Sequence, residues 1–279
     1  MREAPFRAFV VALFLLAPLE ALAQRADPLE KHLIKVAHNI EWAVIPLMYW
    51  GPNGTTPDKA GVVGTGFLIN DDGYFITAAH VLALYKADSP QLGAVIRQNK
   101  FGGGSRWFEV IEKDESHDLA LCRIIGYTAH LPKDFNREHP DIYIPFASVR
   151  VAKEAVKTGQ FIVLAGFPLG SWNPAIQLGT IAATETVSPN AGRVPAGQRE
   201  LLQISVSGNK GNSGSPVISL RTGDVVGVVI QEIPAPLYSS IETPLPFGQS
   251  SGIMLAAPAS WVQELLRKHN VTSVMQPPS

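Results

Sequence analysis

The chain has 279 residues, 46% of them hydrophobic and 17% charged, and its 23 Lys and Arg against 24 Asp and Glu leave a net charge of −1. That balance describes a globular protein able to bury a sizeable core, and it gives no electrostatic reason to expect nucleic acid or an anionic membrane as partner. The single cysteine, Cys122, excludes an internal disulfide, so stability must rest on burial.

Residues 1–23 carry Arg2 and Arg7, an apolar run from Ala8 to Leu19, and the small residues Ala21-Leu22-Ala23 of a signal-peptidase site. The run falls short of the ~20 apolar residues of a membrane span and is broken by Pro18 and Glu20, so the expectation is a cleaved signal peptide, export, and no stable membrane insertion afterwards. Residues 24–40 read as a helical segment, with Asp27 as N-cap, Pro28 at the first helical position, and Leu29, Leu33, Ile34, Val36 and Ala37 at helical spacing. Trp42–Trp50 reads as a strand and 51–58 as a loop. Val62–Asn70 and Tyr74–Ala79 form a predicted hairpin around Asp71-Asp72-Gly73, which puts His80 just past its second strand.

Residues 83–106 read as an exposed loop around a short strand at Ala94–Arg97; Gly102-Gly103-Gly104 lacks the Lys-Ser/Thr of a phosphate cradle and reads as a surface turn. Trp107–Glu112 and Leu119–Ile125 are the next strands, with Asp118 opening the second and Cys122 inside it as a small core residue. From 126 to 153 the chain is irregular. Its His130 and His139 lack the spacing of a metal site, and neither metal nor cofactor is expected. Gln160–Ala165, Gln177–Thr184, Glu200–Ser205, Pro216–Leu220 and Val225–Ile230 read as further strands, and the proline- and serine-rich stretch from Ile230 to Ile253 as a surface loop. Ser260–His269 reads as a helix, with Ser260 and Gln263 as a capping box and Val262, Leu265 and Leu266 as its apolar face. Many short strands with Gly and Pro punctuation mean an all-β protein.

The chemistry concentrates in Gly208-Asn209-Lys210-Gly211-Asn212-Ser213-Gly214-Ser215-Pro216, where glycines permit a tight turn that presents Ser213 while its amides converge on one point. A serine needs a base and a group to orient that base. His80 and Asp118 supply both, in the chain order His, Asp, Ser. His117, beside Asp118, should project to the opposite side of an extended chain.

Thr77-Ala78-Ala79-His80, His117-Asp118-Leu119-Ala120-Leu121 and Gly211-Asn212-Ser213-Gly214-Ser215-Pro216 resemble the three signatures of trypsin-like serine endopeptidases, in particular the bacterial HtrA/Deg type. Gly64–Ile69, Ala165–Gly170 with Leu178–Ile181, and Gly252–Pro258 resemble that type too, so the likeness runs over roughly residues 40–268. It implies two six-stranded antiparallel β-barrels in a peptidase domain at 41–270. Barrel one would occupy 41–127, a connection 128–154, barrel two 155–258 and a closing helix 260–269. Residues 271–279 remain as a tail with no room for the PDZ module such proteins commonly carry.

The resemblance implies an exported endopeptidase, periplasmic or extracellular, acting on protein or peptide substrates. Ser213 would be the nucleophile, His80 the base and Asp118 its orienter, with Gly211, Asn212 and Ser213 forming the oxyanion turn through the N–H groups of Gly211 and Ser213. Ser207 would floor the specificity pocket, Lys210 would be a further substrate-binding residue, and Val228, Val229 and Ile230 would form the edge that pairs with substrate. With no carboxylate at that floor, small or medium apolar residues are the expected preference.

Two positions depart from the family pattern. Ser215 replaces the usual glycine, and Asn212 stands where digestive enzymes have the aspartate that pairs with a freed N-terminus, so activation by N-terminal trimming is not expected. The competing reading is a pseudoprotease that binds extended peptides by strand addition; an esterase or acyltransferase using the same triad is a lesser one.

Overall fold

Short apolar runs bounded by Gly, Asp and Pro form thirteen strands among the described residues of the computed structural model, which are 27–49, 61–85, 92–96, 104–125, 147–187, 199–238 and 244–277. The signal peptide read at 1–23, most of the 128–154 connection and Gly102 and Gly103 of the glycine triplet lie outside them, while Gly104, expected in a surface turn, opens a strand. The chain divides into a unit at 1–36 and a unit at 37–279. Helix α1, Pro28–Ile40, begins in the first with the bond its N-cap predicts: Leu29 N–H donates to Asp27 Oδ1 at 2.9 Å.

In the second unit β1 (Val44–Tyr49), β2 (Gly61–Leu68), β3 (Tyr74–Ala78), β4 (Leu92–Ile96), β5 (Gly104–Arg106), β6 (Phe108–Asp114) and β7 (Leu119–Ile124) form an antiparallel sheet in the order β5-β4-β1-β2-β3-β7-β6. Its edge strands β5 and β6 are separated in the chain by Trp107 alone, so the sheet must curl until its edges approach there. Counted as one interrupted strand, they make the first barrel six-stranded. Pro46 is accommodated in β1 at a position where β4 does not yet pair, since the β1–β4 ladder starts at Leu47. Phe67, Phe75 and Phe108 fill this barrel, the last two edge to face at 5.2 Å. Cys122 is wholly buried in β7, and burial pushes its thiol well above the usual range.

The other strands, β8 (Phe161–Gly166), β9 (Ala175–Val187), β10 (Arg199–Ser205), β11 (Pro216–Ser219), β12 (Val225–Tyr238) and β13 (Pro244–Pro258), close into a barrel in the order β10-β13-β12-β11-β8-β9. Ile162, Leu164, Leu202, Ile204, Val217 and Met254 are in its core. The architecture is the expected double barrel.

One segment differs. The stretch at 230–253, expected as a surface loop, continues β12 to Tyr238 and is taken up again by β13 from Pro244, the two pairing antiparallel, with 239–243 outside the described residues. Proline removes ladder donors, which hides a strand from pattern reading; the pair accommodates its prolines with register shifts between Val229 and Gln231, Glu232 and Pro234, and Pro236 and Tyr238.

Helix α2, Ala259–Lys268, buries Val262, Leu265 and Leu266 as predicted, but not through a capping box. Its N-cap is Pro258, with no side-chain cap bond, and the Gln263 amide instead donates to Ala152 O. Lys268 and His269 both bond Glu112 on β6, and these bonds, Lys268 first, hold the Glu112 carboxyl below its usual range. Beyond the helix the chain is pinned rather than loose. Val274 N–H donates to Ile69 O at 2.8 Å, Ser148 and Gln276 exchange backbone bonds at 2.9 Å, and Asn70 Nδ2 donates to Thr272 O at 3.2 Å.

Candidate active site

The strand β3 ends at Ala78 and turns into a 3-10 helix, Ala79–Leu84, whose second residue is His80. The β6–β7 hairpin brings Asp118 against it. Ala79 N–H donates to Asp118 O at 3.0 Å, His80 N–H to Asp118 Oδ1 at 2.9 Å, and His80 Nδ1 lies 2.7 Å from Asp118 Oδ2. Both carboxylate oxygens are therefore committed to one histidine. Asp118 has φ 54°, a left-handed conformation that aspartate tolerates better than most side chains.

The turn that imposes it is tied by Asp114. This carboxylate accepts from Ser116 N–H at 3.1 Å and from His117 N–H at 3.2 Å, and lies 2.6 Å from His117 Nδ1. Burial acts to raise the Asp114 carboxyl, but the bonds from Ser116 and His117 prevail and hold it below its ordinary range. His117 itself has its ring 4.3 Å from that of Trp261 on α2.

The Ser213 turn lies against the ends of β2 and β3. Thr65 N–H donates to Ser213 O at 2.8 Å, and a Cβ placed on Gly214 would stand 2.1 Å from Thr65 O and 3.0 Å from Ala78 N. With φ 84°, Gly214 is a position only glycine can occupy, packed against Ala78, the last residue of β3 and two residues before His80. Gly211, at φ 102°, is equally constrained, because a Cβ there would meet Phe167 O at 2.2 Å. Ser213 is partly exposed, while Ser215 is wholly buried. The Ser213 hydroxyl has no hydrogen-bond partner among the described residues.

The amides of the turn are not equivalent. Asn212 N–H donates to Asn209 O at 3.1 Å, Gly214 N–H to Val229 O at 2.7 Å, and Ser215 N–H to Asn212 O at 3.0 Å. Asn212, the middle residue of the expected oxyanion turn, has its N–H already used. Those of Gly211 and Ser213 have no acceptor among the described residues.

The predicted substrate edge also needs correction. Val228 is interior, paired with Pro216 on one side and Ala257 on the other, and Val229 gives its N–H to Ser215 O and its carbonyl to Gly214. On the β11 side of β12 the ladder stops at Val228 and the Ser213 turn takes the groups of Val229, so neither reaches Ile230, which the β12–β13 ladder also passes over. Ser207 and Lys210 are exposed, Lys210 with its carbonyl held by Leu169 N–H at 2.7 Å.

Glu232 and Thr65 escaped sequence reading, whereas Met254 is a residue the sequence offers as able to reshape the pocket. Glu232 and Met254 flank Gly208, whose Cβ would lie 3.0 Å from Glu232 Cγ and 2.8 Å from Met254 Sδ. Thr65 Oγ1 donates to Gly211 O at 2.7 Å from 146 residues away, a contact that no local pattern signals.

No group of three or more His, Cys, Asp or Glu able to hold a metal occurs among the described residues, and no helix there is long and apolar enough to cross a membrane. A model of the trypsin-like peptidase domain matches residues 64–228. A probable periplasmic serine endoprotease DegP-like of Rhizobium meliloti is 27% identical over 217 residues, covering 77% of this chain and 35% of its own length. Its counterpart in Pseudomonas fluorescens is 30% identical over 183 residues, 63% and 31% of the two chains. The chain therefore spans about a third of the length of these relatives. Among solved structures, a serine endoprotease from Yersinia pestis superposes with a TM-score of 0.55 at 19% identity, over 85% of this chain and 65% of its own. Deg5 gives 0.57 at 16% identity, over 86% and 95%. At such identities the likeness to these structures is one of fold.

Proposed function

Because the chain belongs to the trypsin-like peptidase domain family, we propose that it is an exported serine endopeptidase working through Ser213, His80 and Asp118. The observation that carries this reading is the two-point grip of Asp118 on His80. A carboxylate that accepts the Nδ1 proton keeps Nε2 as the basic nitrogen and stabilises the imidazolium that forms when Nε2 takes a proton.

In the proposed reaction Ser213 Oγ bonds to the carbonyl carbon of a peptide, and its proton passes to His80 Nε2. The carbonyl π pair moves onto oxygen, facing the Gly211 and Ser213 amides, which hold no other acceptor among the described residues. Each such donor is worth roughly 3 kcal/mol in the transition state. Collapse breaks the C–N bond, the amine leaves with the proton from His80, and water deacylates Ser213 by the reverse sequence. The absence of a Ser213–His80 hydrogen bond fits a site whose last contact tightens with substrate in place.

Cleavage after small or medium apolar residues is the proposed preference, supported by the uncharged Ser207 and by the Met254 thioether beside Gly208. Export rests on the apolar N-terminal run and on relatives named as periplasmic.

The test is a fluorophosphonate probe with intact-mass readout on the purified protein and on its Ser213→Ala and Ser215→Ala variants, followed by a peptide library. Labelling should vanish in Ser213→Ala alone. A folded protein that neither labels nor cleaves, even with unfolded protein present, would instead be a peptide-binding module. A cleavage profile dominated by Lys and Arg would overturn the apolar preference and give selectivity to Glu232.

A further inference from the structure

Thr65 takes no part in the triad, yet it is 0% exposed and lies at the crossing of four hydrogen bonds. Its Oγ1 donates to Gly211 O at 2.7 Å and accepts from Phe167 N–H at 3.2 Å. Its N–H donates to Ser213 O at 2.8 Å, and its carbonyl accepts from Thr77 Oγ1 at 2.7 Å. One residue of the first barrel thus holds the carbonyls on both sides of Asn212, and does so across the junction with the second barrel.

A trans peptide points its C=O and N–H in opposite directions. With Gly211 O turned onto Thr65 Oγ1, the Asn212 N–H of the same peptide faces the other way, onto Asn209 O at 3.1 Å. The Ser213–Gly214 peptide is fixed likewise, its carbonyl by Thr65 N–H and its N–H by Val229 O. The Lys210–Gly211 peptide has its carbonyl on Leu169 N–H, and the Asn212–Ser213 peptide has its carbonyl on Ser215 N–H. In those last two planes the N–H groups left over are those of Gly211 and Ser213. The Gly211–Asn212 plane sits between them. If it moves without equal and opposite changes in ψ at Gly211 and φ at Asn212, the planes on either side turn relative to one another and the two amides no longer share a direction. A glycine at φ 102° offers little resistance to that rotation by itself.

We propose that Thr65 is a positioning residue, whose hydroxyl locks the Gly211–Asn212 peptide so that the Gly211 and Ser213 amides converge on one oxygen. The backbone bond to Ser213 would survive loss of the hydroxyl, while the bonds to Gly211 O and Phe167 N–H would not. The proposal rests on the serine-peptidase reading for its catalytic consequence, but the lock itself is a property of the chain.

The experiment compares Thr65→Val, which keeps the side-chain shape and removes the hydroxyl, with Thr65→Ser, which keeps the hydroxyl. Active sites are titrated with the fluorophosphonate, and kcat per titrated site and KM are measured on a peptide amide. The affinity of a peptide boronate, whose oxygen occupies the oxyanion position, is measured in parallel. Thr65→Val should lose about 10- to 100-fold in kcat with KM within about threefold, lose boronate affinity to match, and Thr65→Ser should recover most of both. A residue that merely supports the fold would lower the titrated fraction and leave kcat per site unchanged, which would overturn the proposal. So would equal losses in the two variants.

Amide hydrogen exchange at Asn212, whose N–H is the other end of the locked peptide, reads the same lock without any activity. It should quicken in Thr65→Val and not in Thr65→Ser. Unchanged exchange in Thr65→Val refutes the lock even if the wild type hydrolyses nothing; faster exchange in an inert wild type's variant upholds the lock and refutes only the peptidase reading.

Discussion

Ser215→Ala should stabilise the protein. Ser215 is 0% exposed and its Oγ has no hydrogen-bond partner among the described residues. The oxygen is pressed toward β8, so closely that a Cβ on Gly166 would stand 2.2 Å from it. Leaving a hydroxyl buried and unpaired costs about 1–3 kcal/mol. Replacing it with a hydrogen forfeits the packing of one heavy atom and opens a small void, worth about 0.5–1 kcal/mol. The first effect wins, by about 1 kcal/mol, which for a protein of this size raises Tm by about 2–4 °C. Urea unfolding and a thermal scan at neutral pH measure it, with fluorophosphonate labelling as the control for the site. The labelling rate should stay within about threefold of wild type, because the partly exposed serine of the turn is Ser213. A loss of 1 kcal/mol or more would show that the Ser215 hydroxyl is engaged in solution, and a loss of labelling would move the nucleophile to it; either refutes the reasoning.

Gly166→Ala should destabilise by about 1–3 kcal/mol through overpacking, since its Cβ would stand 2.2 Å from Ser215 Oγ and 2.8 Å from Asn212 Oδ1. Combining it with Ser215→Gly should recover at least about 1 kcal/mol of that loss in a double-mutant cycle by urea unfolding, and strict additivity would refute the contact. Glu112→Gln should lower Tm at pH 7, because bonds from Lys268 and His269 hold the folded carboxyl below its ordinary value of 4.5. A depressed folded value gives stability that is present above about pH 4.5 and lost as pH falls through the folded value, so the Tm gap to wild type should close toward pH 3. A gap of constant size across that range would mean that the charge of Glu112 contributes nothing.

The sequence read best where one strand answers to one stretch of chain. Val62–Asn70, Tyr74–Ala79 and Leu119–Ile125 are apolar runs between turn residues, and each appears as a strand within two residues of its expected ends. The contact between His80 and Asp118 was legible in a different way, through motifs whose order and residue types leave little else for them to do. Reading failed where the physics is pairwise across the chain. The continuation of β12 and β13 through 231–238 and 244–253 was lost because alternation and β-propensity count proline against a strand, whereas a two-stranded ribbon needs donors on one edge only and tolerates register shifts. The capping box was lost because Gln263 finds a backbone carbonyl at Ala152, 111 residues away.

The substrate edge shows why even a correct placement of strands does not deliver a site. Val228, Val229 and Ile230 are consecutive, apolar and alike in propensity, and nothing local separates them. What separates them is who takes their backbone groups: Pro216 and Ala257 flank Val228, the Ser213 turn takes both groups of Val229, and the ladder passes over Ile230. The same accounting distinguishes the amide of Asn212 from those of Gly211 and Ser213 within one turn. Every buried backbone donor or acceptor must find a partner, so the groups left without one mark where a substrate backbone has something to bond. Among the described residues of the Ser213 turn, those groups are the amides of Gly211 and Ser213. That is a property of how two barrels meet, which explains why Thr65, on the far barrel, governs a turn 146 residues further on.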